Sequence, residues 1–272
     1  MALKYIENAT KPLIRSGEDI DKRMFSILAY DILFMLAASG IILAALTFIN
    51  WNLESNQDIF SRTNIVMGQL QTNTQADTAA LAGEAVDIQK TFRNMFIFAG
   101  SSIAAAYLII VFFISLFKGL IWSQILGQKF DRMFFKRFLQ LNYVIWGIGL
   151  VLAILFLMVA NLGSLTFYLP LGALLFFYFV LNIYSLFDKK ERIWKTLGKG
   201  ISVSIKKAYL FIVPYLLIAA AVTLLYWIAS TIIRYATAIP YLGAGIIALF
   251  SLILVVWVRF YIFENVKSAS QQ

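Results

Sequence analysis

Six apolar stretches, each long enough to cross a lipid bilayer, alternate with short basic segments along this chain. They occupy residues 24–50, 95–117, 143–160, 165–187, 209–233 and 241–263, and each meets the requirement of about 17 to 25 residues for a spanning helix. Backbone in hydrocarbon has no water to bond, so each stretch must close its own hydrogen bonds as a helix. The fold class expected is an all-α integral membrane protein of six transmembrane helices.

With 272 residues, 61% hydrophobic and 14% charged, little chain is left for a soluble domain. The organisation expected is a polar N-terminal segment, 1–23, followed by one membrane domain, 24–272. No apolar core precedes a cleavage site in 1–23, so the first span itself is expected to direct insertion.

The placement of charge sets the orientation. Nineteen of the 23 Lys and Arg fall on alternate connections: Lys4, Lys11, Arg15, Lys22 and Arg23 before span one, and Lys118, Lys129, Arg132, Lys136 and Arg137 between spans two and three. Lys189, Lys190, Arg192, Lys195, Lys199, Lys206 and Lys207 lie between spans four and five, with Arg259 and Lys267 at the end. By the positive-inside rule both termini are cytoplasmic and the chain belongs in the cell membrane. The net charge of +9 then reflects orientation and attraction to anionic lipid rather than nucleic acid.

Cysteine and histidine are both absent. Disulfides, thiol nucleophiles and the usual zinc or copper sites are thereby excluded, and no metal or cofactor is expected. No nucleophile and base set or paired carboxylates appear in any span, so the chain is not expected to be an enzyme.

One connection, 51–92, is long enough to form structure of its own. Leu81, Ala85, Ile88 and Phe92 recur at helical spacing in phase with span two, Asp77 is a candidate N-cap, and residues 71–75 read as the turn of an outer helical hairpin. The two long basic connections read as amphipathic helices lying in the cytoplasmic interface, at 124–141 and 189–207. In the first, Leu126, Phe130, Met133, Phe134, Phe138 and Leu141 share a face. In the second, Ile193, Leu197, Ile201 and Ile205 form a stripe beside Trp194, weakened by Gly198 and Gly200. Lys129, Arg132, Lys136, Arg137, Arg192, Lys195, Lys199, Lys206 and Lys207 are the candidate headgroup-binding cations.

Ser115-Leu116-Phe117, Ile121-Trp122 and Leu126-Gly127 recur as Ser185-Leu186-Phe187, Ile193-Trp194 and Leu197-Gly198, which points to a parallel internal repeat. The charged stretch 188–192, the segment Trp194 to Gly200 containing Leu197-Gly198-Lys199-Gly200, and residues 209–225 with Pro214 together resemble the membrane domain found beside some glycerophosphodiester phosphodiesterases. They are also similar to related stand-alone six-helix membrane proteins of prokaryotes. The likeness covers roughly the last hundred residues. It implies the architecture only, since the catalytic domain of those enzymes has no counterpart here and 51–92 departs from the pattern.

Charge inside a span is costly and marks candidate sites. Asp31 in span one and Arg259 in span six both lie in the cytoplasmic half of the bilayer, where neighbouring helices would let them pair. The pair reads either as a structural ion pair or as a substrate or proton site; distance from the midplane favours the first. Asn182 and Tyr184 are the candidate lining of a polar path. The function expected is a scaffold or accessory subunit that contacts membrane lipids, with a protein partner at the outer hairpin. The alternative is a small-solute transporter or channel.

Overall fold

The computed structural model describes residues 12, 22–71, 78–159, 162–235 and 240–271. Among them are eight helices and no strand: α1 (Lys22–Glu54), α2 (Asp58–Gln71), α3 (Thr78–Ile125), α4 (Arg132–Val159), α5 (Leu162–Ser185), α6 (Ile193–Lys206), α7 (Ala208–Tyr235) and α8 (Pro240–Gln271). Six of these, all but α2 and α6, are long and apolar enough to cross a membrane. The chain divides into two compact units, one drawn from residues 1–34 and 114–272 and the other from 35–113.

In the smaller unit, α2 packs on α3 through Ile59, Val66, Ile88 and Met95, all buried, with Leu81 and Phe92 at the margin. Arg62 bridges the same two helices, bonding Glu84 at 3.3 Å and Asp87 at 2.9 Å. Those bonds hold the Arg62 guanidinium above its ordinary range, the one to Asp87 contributing most. Residues 55–57 separate α2 from α1, so residues 58–71 form a helix of their own. The Asp77 cap and most of the turn expected at 71–75 lie outside the described residues.

In the larger unit the main core joins α1, α3, α4, α5, α6 and α8. It is built on Ile27, Ile121, Trp122, Phe134, Phe138, Leu141, Tyr184, Phe187, Leu197, Val256 and Phe260. A second cluster joins Phe211 of α7 to Ile262, Val266 and Ala269 of α8. The far half of α4 is apolar on every side and exposed at Ile148, Val151, Leu152, Leu155 and Met158, as befits a helix whose surroundings are hydrocarbon.

The segment 124–141 is not one interfacial helix. Helix α3 runs on to Ile125 and then stops in a Schellman turn: Gly127 sits at φ 63°, its N–H donates to Gln124 O at 3.2 Å, and Gln128 N–H donates to Ser123 O at 2.9 Å. Only glycine adopts that backbone without strain. Asp131 then starts α4, its Oδ1 accepting from the Phe134 N–H at 2.8 Å, which is the bond an N-cap makes. Phe134, Phe138 and Leu141 of that stripe face the protein core with no exposed surface, so they are covered by protein where the sequence reading expected lipid, while Met133 points away from it and is exposed.

The segment 189–207 does contain a helix, α6, but its apolar residues divide between two faces. Leu197 is buried beside Thr196, Gly200 and Ser204, whereas Trp194, Ile201 and Ile205 are exposed. Gly200 is required by packing: a Cβ there would stand 2.8 Å from the Ile183 Cα on α5. Gly198 has open space around it and alone fits the expectation of a weakened helix. The segments paired as a repeat also fold differently. Trp122 lies inside α3 with 1% exposure, while Trp194 opens α6 with 72% exposure.

Candidate functional site

Every turn of α1 from Ile27 to Asp31 presents the same face to the core, because residues four apart stack along a helix. Ile27 is wholly buried and Asp31 is 2% exposed. Into that position α8 delivers Arg259, which donates from Nη1 to Asp31 Oδ2 and from Nη2 to Asp31 Oδ1 at 3.1 Å. The pairing expected between spans one and six is therefore formed, and in the two-pronged geometry that suits a guanidinium and a carboxylate.

A third member joins it. Lys118 donates to Asp31 Oδ1 at 2.6 Å and its ammonium lies 5.0 Å from the centre of the Phe34 ring, a distance at which a cation is attracted to the aromatic face. The sequence reading ended span two at 117 and left Lys118 in a connection. A signal was present: Ile114, Ile121 and Ile125 are buried on α3, and position 118 falls on the same helical stripe.

The site is thus one carboxylate between two cations, carrying a formal excess of one positive charge. Asp31 accepts three hydrogen bonds within this cluster and is closed off by the surrounding core. Such a cluster ties α1, α3 and α8 together; removing Asp31 would leave two cations uncompensated in apolar surroundings.

Asn182 and Tyr184 do not line a common path with Asp31. The Asn182 amide donates to Ser204 Oγ at 2.9 Å, and Ser204 Oγ donates back to Gly200 O at 2.8 Å, so this set fastens α6 to α5. Tyr178 reinforces it by donating to Ser204 O at 2.7 Å. Tyr184 instead donates to the Asn142 side chain of α4, whose own amide donates to Phe138 O at 2.9 Å. Asn142, fully buried, was not singled out from sequence, where one asparagine near the start of a span carries no distinguishing pattern. The Asn182 Oδ1 and Thr196 Oγ1 atoms are buried without a hydrogen-bond partner among the described residues.

The basic residues expected at the headgroups separate into two groups. Lys195 and Lys199 both bond Glu191, at 3.3 and 2.5 Å, and those bonds, Lys199 first, hold the Glu191 carboxyl below its usual range. Lys207 donates to Ala269 O. Lys129, Arg132, Lys136, Arg192 and Lys206 are exposed and Arg137 half-buried, and none of these six side chains has an ion-pair partner among the described residues. Lys189, not among the expected cations, bonds Asp131. That bond, then the Phe134 N–H, holds the Asp131 carboxyl below its usual range.

No protein-family model, curated protein or solved structure matches this chain.

Proposed function

We propose that this chain is a non-enzymatic multi-pass protein of the cell membrane, a scaffold or accessory subunit with both termini on the cytoplasmic side. It contacts anionic lipid through the exposed cations of α4 and α6. It contacts a protein partner through α2 and the start of α3, read here as an outer hairpin.

The observation that carries this reading is the contrast between the two sets of charges. The buried Asp31 and Arg259 are spent on each other and on Lys118 in a closed cluster. The cations Arg132, Lys136 and Arg137 at the start of α4 and Arg192 and Lys206 at the two ends of α6 stay unpaired among the described residues, where each basic residue near an anionic surface contributes about 1 kcal/mol. A transport site would instead place polar groups along one opening near the midplane, and Asp31, Asn182 and Tyr184 are buried on separate partners. Support for the protein partner comes from α2, which leaves Phe60, Ile65 and Met67 exposed outside the spans; such apolar surface favours docking.

The test is reconstitution of the intact chain into vesicles containing a pH-sensitive dye, beside retention of phosphatidylglycerol over phosphatidylcholine through purification. The scaffold reading expects anionic lipid to be retained and no proton flux above protein-free vesicles. A flux abolished by Asp31→Asn at unchanged stability would replace it with the transporter reading.

A further inference from the structure

The cations of α4 and α6 do not form an even surface. Arg137, Gln140, Tyr143 and Val144 of α4 face Arg192 and Trp194, where α6 begins, across a cleft of about 550 Å³. No carboxylate lines it.

Three features converge on that space. Both guanidiniums are available: Glu191 Oε1 bonds Lys195 and Lys199, and Asp131 bonds Lys189, so neither carboxylate pairs with Arg137 or Arg192. Neither the Arg137 nor the Arg192 side chain has a hydrogen-bond or ion-pair partner among the described residues. Second, Arg192 is the N-cap position of α6, extended at φ −71° and ψ 142°, and no side chain caps the helix. The free N–H groups of a first turn add partial positive charge beside the two guanidiniums. Third, the mouth is amphipathic. Trp194 and Tyr143 are exposed rings of the kind that sit at headgroup depth, and Ile201 and Ile205 continue the exposed apolar face of α6 from Trp194.

We propose that this cleft binds one net-anionic glycerophospholipid, its phosphate held between Arg137 and Arg192 and its acyl chains running along Trp194, Ile201 and Ile205. Guanidiniums match phosphate oxygens in paired bonds, as an ammonium does not. Gln140 adds an amide donor for the remaining headgroup oxygens. Free phosphate would satisfy the arginines and leave the apolar wall uncovered; the lipid satisfies both. The inference rests on the membrane reading above and narrows it from a diffuse basic surface to one stoichiometric site.

The experiment is native mass spectrometry of the delipidated full chain in detergent, titrated with phosphatidylglycerol, phosphatidylcholine or inorganic phosphate. Wild type is expected to retain one phosphatidylglycerol per chain in preference to phosphatidylcholine. Arg137→Gln and Arg192→Gln should each raise the Kd of that lipid at least about tenfold, the loss expected when a charge-assisted hydrogen bond is removed. Lys190→Gln, an equal loss of one charge at an exposed lysine outside the cleft, should leave the single tight lipid in place. Equal weakening by that control would overturn the discrete site and leave the surface reading standing. Phosphate displacing the lipid completely would overturn the lipid assignment in favour of free phosphate. Equal affinity of wild type for both lipids would sink the cleft and the basic-surface reading together. Both arginines are unpaired, so the variants are expected to fold, and unchanged melting in the same detergent checks it.

Discussion

Arg259 grips Asp31 through both terminal nitrogens although 228 positions separate them in the chain. Lys118 adds a second cation to the same carboxylate, so the three partners are unequal. Losing Asp31 leaves two cations facing each other; losing either cation leaves a balanced pair. Asp31→Asn should therefore be the most damaging single change, by about 3 to 5 kcal/mol, the range for breaking a buried ion pair. Arg259→Gln and Lys118→Gln should cost less. Combining Asp31→Asn with Arg259→Gln should restore part of the loss. Melting in detergent across the full cycle reads this; strictly additive effects would show that the three side chains act independently.

Two glycines two residues apart on α6, and so on opposite sides of the helix, Gly198 and Gly200, should respond in opposite ways. Gly200→Val drives a side chain into the Ile183 backbone and should cost about 1 to 3 kcal/mol or more, as overpacking does. Gly198→Ala meets open space and should stabilise α6 by up to about 1 kcal/mol through helix propensity. Thermal unfolding of both variants distinguishes packing from propensity as the reason for the Leu197-Gly198-Lys199-Gly200 sequence.

Asp131 caps α4 and bonds Lys189, and the folded state holds its carboxyl below the usual value of 3.8. A depressed folded value means that its contribution is fully present above the unfolded value and is lost as pH falls through the folded one. Amides at 132–135 should therefore exchange faster with solvent only below about pH 3.8, and earlier than those in the middle of α4. Asp131→Asn should keep the cap and lose the pH dependence, whereas Asp131→Ala should fray the helix start at neutral pH.

Ile59 of α2 is 1% exposed against α3, while Arg62 is partly exposed in its bonds to Glu84 and Asp87. Ile59→Ala should cost about 2 to 5 kcal/mol of local stability, the range for truncating a buried aliphatic side chain. Arg62→Gln should have a small effect that vanishes as salt rises. Hydrogen exchange of residues 58–71 measures both, and an Arg62 effect that persisted in high salt would show that the ion pairs, not the apolar contacts, hold α2.

Orientation is testable because the chain has no cysteine of its own. By the charge asymmetry, Ser55→Cys should react with an impermeant thiol reagent on intact cells, and Lys129→Cys and Ser202→Cys should react only after lysis. Labelling of Lys129→Cys in intact cells would reject the topology.

The sequence by itself determined the number of long apolar helices and where they lie, because hydrocarbon leaves unpaired backbone no alternative and the requirement is met within each segment. It also marked Asp31 and Arg259, since a charge in an apolar run stands out without knowledge of any neighbour. Periodicity showed that 124–141 and 189–207 have apolar faces but not what covers them. Phe134 and Phe138 turned out to face protein, and Trp194 and Ile205 to be exposed, because only the packing of other helices decides whether an apolar face meets side chains or lipid. For the same reason Lys118 became a partner of Asp31 only once α3 was seen to continue past residue 117. Gly200 became a contact only when α6 lay against Ile183, and Arg137 and Arg192 came together only because the turn at Gly127 and the start of α6 set their helices side by side. Those relations join residues far apart in the chain, and no local pattern encodes them.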